Sequence, residues 1–129
     1  MPVPIFVYGT LKRRGSGRRH DLLRGARFVT SASIIGELYD LGEYPGVVRE
    51  PPTRGRVFGE LYEIPDADAP AALRALDTYE GSEFVRDRAY VTTADGKRRL
   101  AWTYVLRKRP PKTARPVTSG KYHRRKGAA

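Results

Sequence analysis

Short apolar runs broken by glycine and proline set the rhythm of this chain. The first is Pro4 to Lys12, PIFVYGTLK, in which Ile5, Phe6, Val7 and Tyr8 are apolar, β-branched or aromatic and Gly9 ends the run. A run that short, bounded by Pro and Gly, predicts a buried strand. Ser33 to Leu41 (SIIGELYDL) predicts a second strand with Gly36 in its middle, and Arg56 to Ile64 (RVFGELYEI) a third. The two share a motif, GELYD at Gly36 to Asp40 and GELYE at Gly59 to Glu63. We read the copies as two strands with similar jobs in one sheet, each with a glycine where the sheet bends. Between them, GEYPG at Gly42 to Gly46 predicts a turn with Tyr44 held extended before Pro45, followed by a short strand at Val47 and Val48. Arg88 to Thr93 and Arg99 to Leu106 predict two strands, with ADGK at Ala94 to Lys97 as the turn between them, a hairpin signal.

One segment has a helical period. Asp and Pro residues at Pro65 to Ala69 suit a helix start, and Gly81 suits a C-terminal cap. Over Ala69 to Glu80 the residues Ala69, Ala72, Leu73, Leu76 and Tyr79 share one arc at 100° per residue. Glu80 falls inside that arc, between Leu73 and Leu76 in projection, with Asp77 at its margin. The expected class is therefore α+β: a small, strongly curved β-barrel with one main helix.

Composition narrows the function. The 129 residues include no cysteine and two histidines, His20 and His123, which argues against disulfides, thiolate chemistry and a Cys- or His-based metal site. No run of apolar residues is long enough to span a membrane and no leader pattern opens the chain, so a cytoplasmic protein without cofactor or metal is expected. The net charge of +11 lies mostly in two blocks, Lys12 to Arg27 and Arg107 to Lys126. Such charge attracts polyanions, but none of the usual nucleic-acid-binding motifs accompanies it. The expected layout is a domain over residues 1–106 and a basic, Pro-containing tail over 107–129, extended or partly ordered over the domain, in which only Val117 and Tyr122 look able to pack. A monomer or weak homodimer is expected.

Two places carry chemistry. Tyr8, Gly9 and Thr10 end a strand where successive backbone N–H groups can converge on an anion or carbonyl; the alternative is an ordinary strand and turn. Glu80 puts a carboxylate on the face that should be buried, at the negative end of the helix dipole. Both effects raise its pKa toward the range useful to a general acid or base. Its alternative is a frayed last turn, with Glu80 turned to solvent or paired with Arg86 or Arg88.

VYGTLK at Val7 to Lys12, the two GELY strands, YPG at Tyr44 to Gly46 and LDTYEG at Leu76 to Gly81, in that order over about Ile5 to Tyr104, resemble the γ-glutamylcyclotransferase-like proteins, including their AIG2-like branch. The resemblance implies a small mixed α/β barrel. It implies that the loop Tyr8, Gly9, Thr10 and Leu11 holds the glutamyl part of a γ-glutamyl substrate and that Glu80 is the general base. Such an enzyme closes the substrate's α-amino group onto its γ-carbonyl, giving 5-oxoproline and a free amine or amino acid. Tyr44 and Tyr104 are candidates to line the pocket, or else half-buried strand aromatics. Glu83 is a second nearby acid. The chain departs from the family pattern at Phe84, where a tyrosine is usual before the arginine (here Arg86), and at Lys121, where an acid is usual within Ser119 to Tyr122. The alternative function is a non-catalytic small-molecule or anion-binding module of the same fold, its basic tail contacting nucleic acid or another polyanion.

Overall fold

The computed structural model describes residues 1–9, 21–49 and 53–122. The basic loop expected at Lys12 to Arg19, and Thr10 and Leu11 with it, lie outside the described residues. Along the chain come β1 (Val3–Val7), a 3-10 turn (Asp21–Leu23), β2 (Arg27–Ile35), β3 (Glu37–Asp40), β4 (Pro45–Val48), β5 (Arg56–Ile64), α1 (Ala69–Glu80), β6 (Phe84–Thr93), β7 (Arg98–Leu106) and β8 (Arg115–Pro116). Five strands close a barrel in the order β1-β5-β2-β6-β7. All its pairs are antiparallel except β1 with β7, which run parallel at Ile5 and Trp102 and close the ring. A three-stranded sheet of order β4-β3-β8 stands beside it.

The apolar run of β1 is continuous because the strand is covered on both faces. Phe6 and Tyr8 point into one cluster with Leu61, Val57, Val91 and Val105. Their neighbours Ile5 and Val7 pack the other way, with Tyr62, Ile64, Phe84, Tyr104 and two residues of α1, Ala69 and Leu76. The helix thus lies on the outer face of β1 and delivers its C-terminus to the end of that strand. Leu76 is fully buried there. Leu76→Ala is expected to cost about 2–5 kcal/mol, read as a lower denaturation midpoint, and a loss below about 1 kcal/mol would show that α1 is not anchored through this residue.

Two expectations are corrected. The strand predicted over Ser33 to Leu41 is broken at Gly36 into β2 and β3, and the two GELY copies sit in different sheets. At Gly36 the N–H donates to the Gly55 carbonyl at 2.9 Å, and a Cβ there would stand 2.9 Å from Val47 Cγ1. The glycine lets the chain turn out of the barrel into the small sheet. At Gly59 a Cβ would stand 2.2 Å from the Val7 carbonyl oxygen, so that glycine instead lets β1 cross close over β5. The second correction concerns Tyr79. It falls in the apolar arc of the helix wheel yet is 45% exposed, because it sits at the arc's edge and the buried contacts concentrate on Leu76 and Ala69.

Beyond β7 the chain returns over the barrel. β8 pairs with β3, Val117 N–H donates to the Leu38 carbonyl, and Phe58 N–H donates to the Gly120 carbonyl, both at 2.8 Å. Val117 and Tyr122 pack into the core cluster of Phe6 and Tyr8. Gly120 has φ +71°, and a Cβ on it would lie 1.9 Å from the Arg56 carbonyl oxygen. Among the described residues no helix is long and apolar enough to cross a membrane, and no group of three or more acidic, His or Cys side chains could hold a metal ion.

Candidate active site

Where β1 ends and α1 ends, the two leave a cavity of about 30 Å³. Phe6, Val7, Tyr8 and Gly9 form one side, Tyr44 and Pro45 a second, Glu80 and Tyr104 the rest. The close approach of the first two sides depends on glycine: a Cβ on Gly9 would stand 2.7 Å from the Pro45 ring. Five residues singled out in the sequence thus meet in one cavity: Tyr8, Gly9, Tyr44, Glu80 and Tyr104.

Glu80 is the last residue of α1. Gly81, at φ +81°, ends the helix and donates its N–H to the Asp77 carbonyl at 3.1 Å. That stop keeps the Glu80 side chain on the buried face of the helix, directed into the cavity. Burial pushes its carboxyl up from 4.5 to about 7. Glu80 pairs with neither Arg86 nor Arg88, the partners its alternative reading named. Arg86 instead binds Asp77 through Nε at 2.9 Å and Nη2 at 3.3 Å, and the Arg88 guanidinium lies over the Trp102 ring at 4.7 Å.

The tyrosines are tied into the walls. Tyr8 donates its hydroxyl proton to the Tyr104 carbonyl at 2.6 Å. Its pKa is raised well above the ordinary value, first by burial and then by the nearby Glu80 charge. Tyr104 donates to Asp77 Oδ1 at 2.5 Å, and burial followed by that bond raises its pKa as well. For Asp77, burial would raise the carboxyl, but the hydrogen bonds from Tyr104 and Arg86 and the Arg86 charge outweigh it and hold it below the usual carboxylate value. Tyr44 donates to Glu83 and packs against Phe84 at 6.0 Å between ring centres. The Glu83 bond, with burial behind it, pushes the Tyr44 phenol up to about 12. Glu83 therefore sits on the Tyr44 hydroxyl and is not part of the cavity wall. The segment that carries it is fixed by Arg107, whose N–H donates to the Glu83 carbonyl and whose side chain donates to the Ser82 and Phe84 carbonyls.

Sequence reasoning gave no place in the site to Asp77, Arg86 or Pro45. Asp77 precedes Glu80 by three residues and so shares its side of the helix, and Arg86 is the register partner of Tyr104 across β6 and β7. Such spacings are visible in the sequence only once the strand pairing is known.

The family model for γ-glutamyl cyclotransferase, AIG2-like proteins matches residues 5–124. This chain belongs to that family. Among solved structures, the AIG2-like protein of Mus musculus is 28% identical, with a TM-score of 0.68, the match covering 86% of this chain and 81% of that one. Escherichia coli YtfP is 38% identical with a TM-score of 0.59, covering 93% and 96%. Bacillus subtilis YkqA superposes with a TM-score of 0.72 at 25% identity, covering 95% of this chain, which spans only 40% of the Bacillus protein. No curated protein shows significant sequence similarity. The small barrel with one main helix is thus the γ-glutamyl cyclotransferase-like fold, and the cavity described above lies at the residues through which the sequence resembled that family.

Proposed function

We propose that this protein is a cyclotransferase that converts a γ-glutamyl amine, dipeptide or conjugate to 5-oxoproline and a free amine or amino acid. The observation that carries the reading is the Glu80 carboxyl, half-buried in a cavity it shares with Tyr8 and Gly9, where burial raises it toward about 7. The substrate carries its own nucleophile. Its α-ammonium gives a proton to Glu80. The freed nitrogen attacks the γ-carbonyl, the new C–N bond closes the five-membered ring, and the bond to the leaving amine breaks. The ring nitrogen gives up its second proton as the ring forms, and the leaving nitrogen takes up both protons, each relayed through Glu80, and departs as an ammonium, so the carboxylate is restored with each turnover. An α-amino group ordinarily titrates near pH ~8 and is mostly protonated at neutral pH, so a base near 7 is well matched to it. Holding the amine against the carbonyl supplies the proximity gain of an intramolecular reaction. Backbone N–H groups after Tyr8 would hold the substrate carboxylate or the developing oxyanion.

The test is 5-oxoproline release from a panel of γ-glutamyl amines and dipeptides across pH 5 to 9. Glu80 is a base only when ionised and the substrate donates only as an ammonium, so kcat/KM is expected to rise about tenfold per pH unit below 7 and to fall again above about 8. No 5-oxoproline from any member of the panel would overturn the reading.

A further inference from the structure

Asp77 is one helical turn before Glu80 and touches the cavity only through Tyr104. Its contacts fix the direction of every hydrogen bond around it. An ionised carboxylate can only accept, and a guanidinium can only donate. Oδ1 and Oδ2 accept from Arg86 Nε and Nη2, and Oδ1 accepts again from the Tyr104 hydroxyl at 2.5 Å. The Tyr104 proton is therefore committed to Asp77, and toward the cavity its oxygen can offer only lone pairs. The same logic holds for Tyr8, whose proton is committed to the Tyr104 carbonyl. Its oxygen already takes a hydrogen bond from the Val47 backbone. With Glu80 ionised, its carboxylate and the Tyr104 oxygen are the acceptors beside the cavity, where a group that only donates fits and one that only accepts is refused. Arg86 is itself held in place, its guanidinium 4.6 Å from the Trp102 ring centre and its backbone directly opposite Tyr104 in the β6–β7 ladder.

We propose that Asp77 and Arg86 are positioning residues that lock the Tyr104 hydroxyl as a hydrogen-bond acceptor for the α-ammonium of the substrate. This rests on the cyclotransferase reading of the site. The lock places the ammonium between Glu80 and Tyr104, so that after one proton passes to Glu80 the remaining N–H bonds still have a fixed acceptor and the amine cannot turn freely. Replacing Asp77 by leucine undoes it: the acceptor is gone, the hydroxyl proton is free to turn toward the cavity, and there it meets the N–H groups of the ammonium head-on.

The test compares binding of L-glutamine with that of glutaric acid monoamide, which is glutamine without its α-ammonium, by calorimetry or NMR titration of the full chain. The wild type is expected to prefer L-glutamine by about tenfold or more. Asp77→Leu and Tyr104→Phe should each abolish the preference, and the double variant should bind L-glutamine no worse than Tyr104→Phe alone. If Asp77→Leu does not fold, Tyr104→Phe alone carries the test. A wild type without preference, an Asp77→Leu protein that loses affinity for both ligands equally, or additive losses in the double variant would each overturn the inference. Running the 5-oxoproline assay on the same proteins separates the two levels: turnover without ammonium preference removes the lock and keeps the cyclotransferase, whereas ammonium preference without turnover of any panel substrate keeps the lock and removes the reaction.

Discussion

Glu80→Gln is expected to lower 5-oxoproline formation by a factor of about 10²–10⁴ and, in the same protein, to raise stability above pH 7. Both effects follow from one fact, the burial that lifts the Glu80 carboxyl from 4.5 to about 7. Glutamine has the same shape and no basic oxygen, so the proton of the α-ammonium has nowhere to go and the ring does not close. The stability effect has the opposite sign because the native protein favours the neutral carboxyl. Below the unfolded value of about 4.5 the group is neutral in both states and the native state keeps the full benefit. As pH rises through 7 the folded group must ionise within the cavity, and that benefit is lost. Glutamine stays neutral throughout. The variant is therefore expected to match the wild type near pH 4 and to exceed it near pH 8, by on the order of 2–3 kcal/mol. Urea titrations at the two pH values measure this. Equal stability at both would mean that Glu80 is solvated, and retained activity would pass the role of base to another group, with Glu83 the next to replace.

Gly59→Ala is the second large expected effect. The added Cβ would stand 2.2 Å from the Val7 carbonyl oxygen, 2.8 Å from Phe6 Cζ and 3.0 Å from Tyr8 Cα. Two of those three atoms are backbone, so no rotamer change relieves the overlap and β1 must move away from β5. Overpacking of this kind costs about 3 kcal/mol, or about 10 °C in Tm for a domain of this size. The displaced segment is the one that leads into Tyr8 and Gly9, so activity is expected to fall further than the loss of folded protein accounts for. A melting temperature within about 1 °C of the wild type would show that the two strands have slack at this crossing.

The same glycine shows what was legible in the sequence and what was not. The strand through Arg56 to Ile64 and the helix Ala69–Glu80 were readable because local signals bound them: Pro65 closing the one, Asp-Pro and Gly81 framing the other. That Gly36 and Gly59 do different work was not, because GELY reads the same in both places and only the partner strand differs, β4 for one and β1 for the other. Glu80 could be placed from a helical wheel since its burial is set by its own helix. Asp77 could not, because its role comes from Arg86 and Tyr104, residues that reach it across the barrel wall. The loop residues Thr10 and Leu11, drawn from the family resemblance, remain expectations of the sequence alone.

The closure of the ring has a consequence for biosynthesis. β1 is made first, yet one of its two neighbours in the barrel is β7, met where Ile5 lies beside Trp102. At a synthesis rate of about 5–20 residues per second, the nascent strand waits roughly 5–20 s for that neighbour to emerge. Through that interval an apolar segment buried on both faces in the finished protein is without half of its cover, and its backbone offers a free edge to any other nascent chain. Pro4, set within the strand, has no N–H to donate, and Pro2 stands just before it. Prolines on an exposed edge interrupt such pairing, so Pro4 limits what that strand can pair with while its neighbour is still to come.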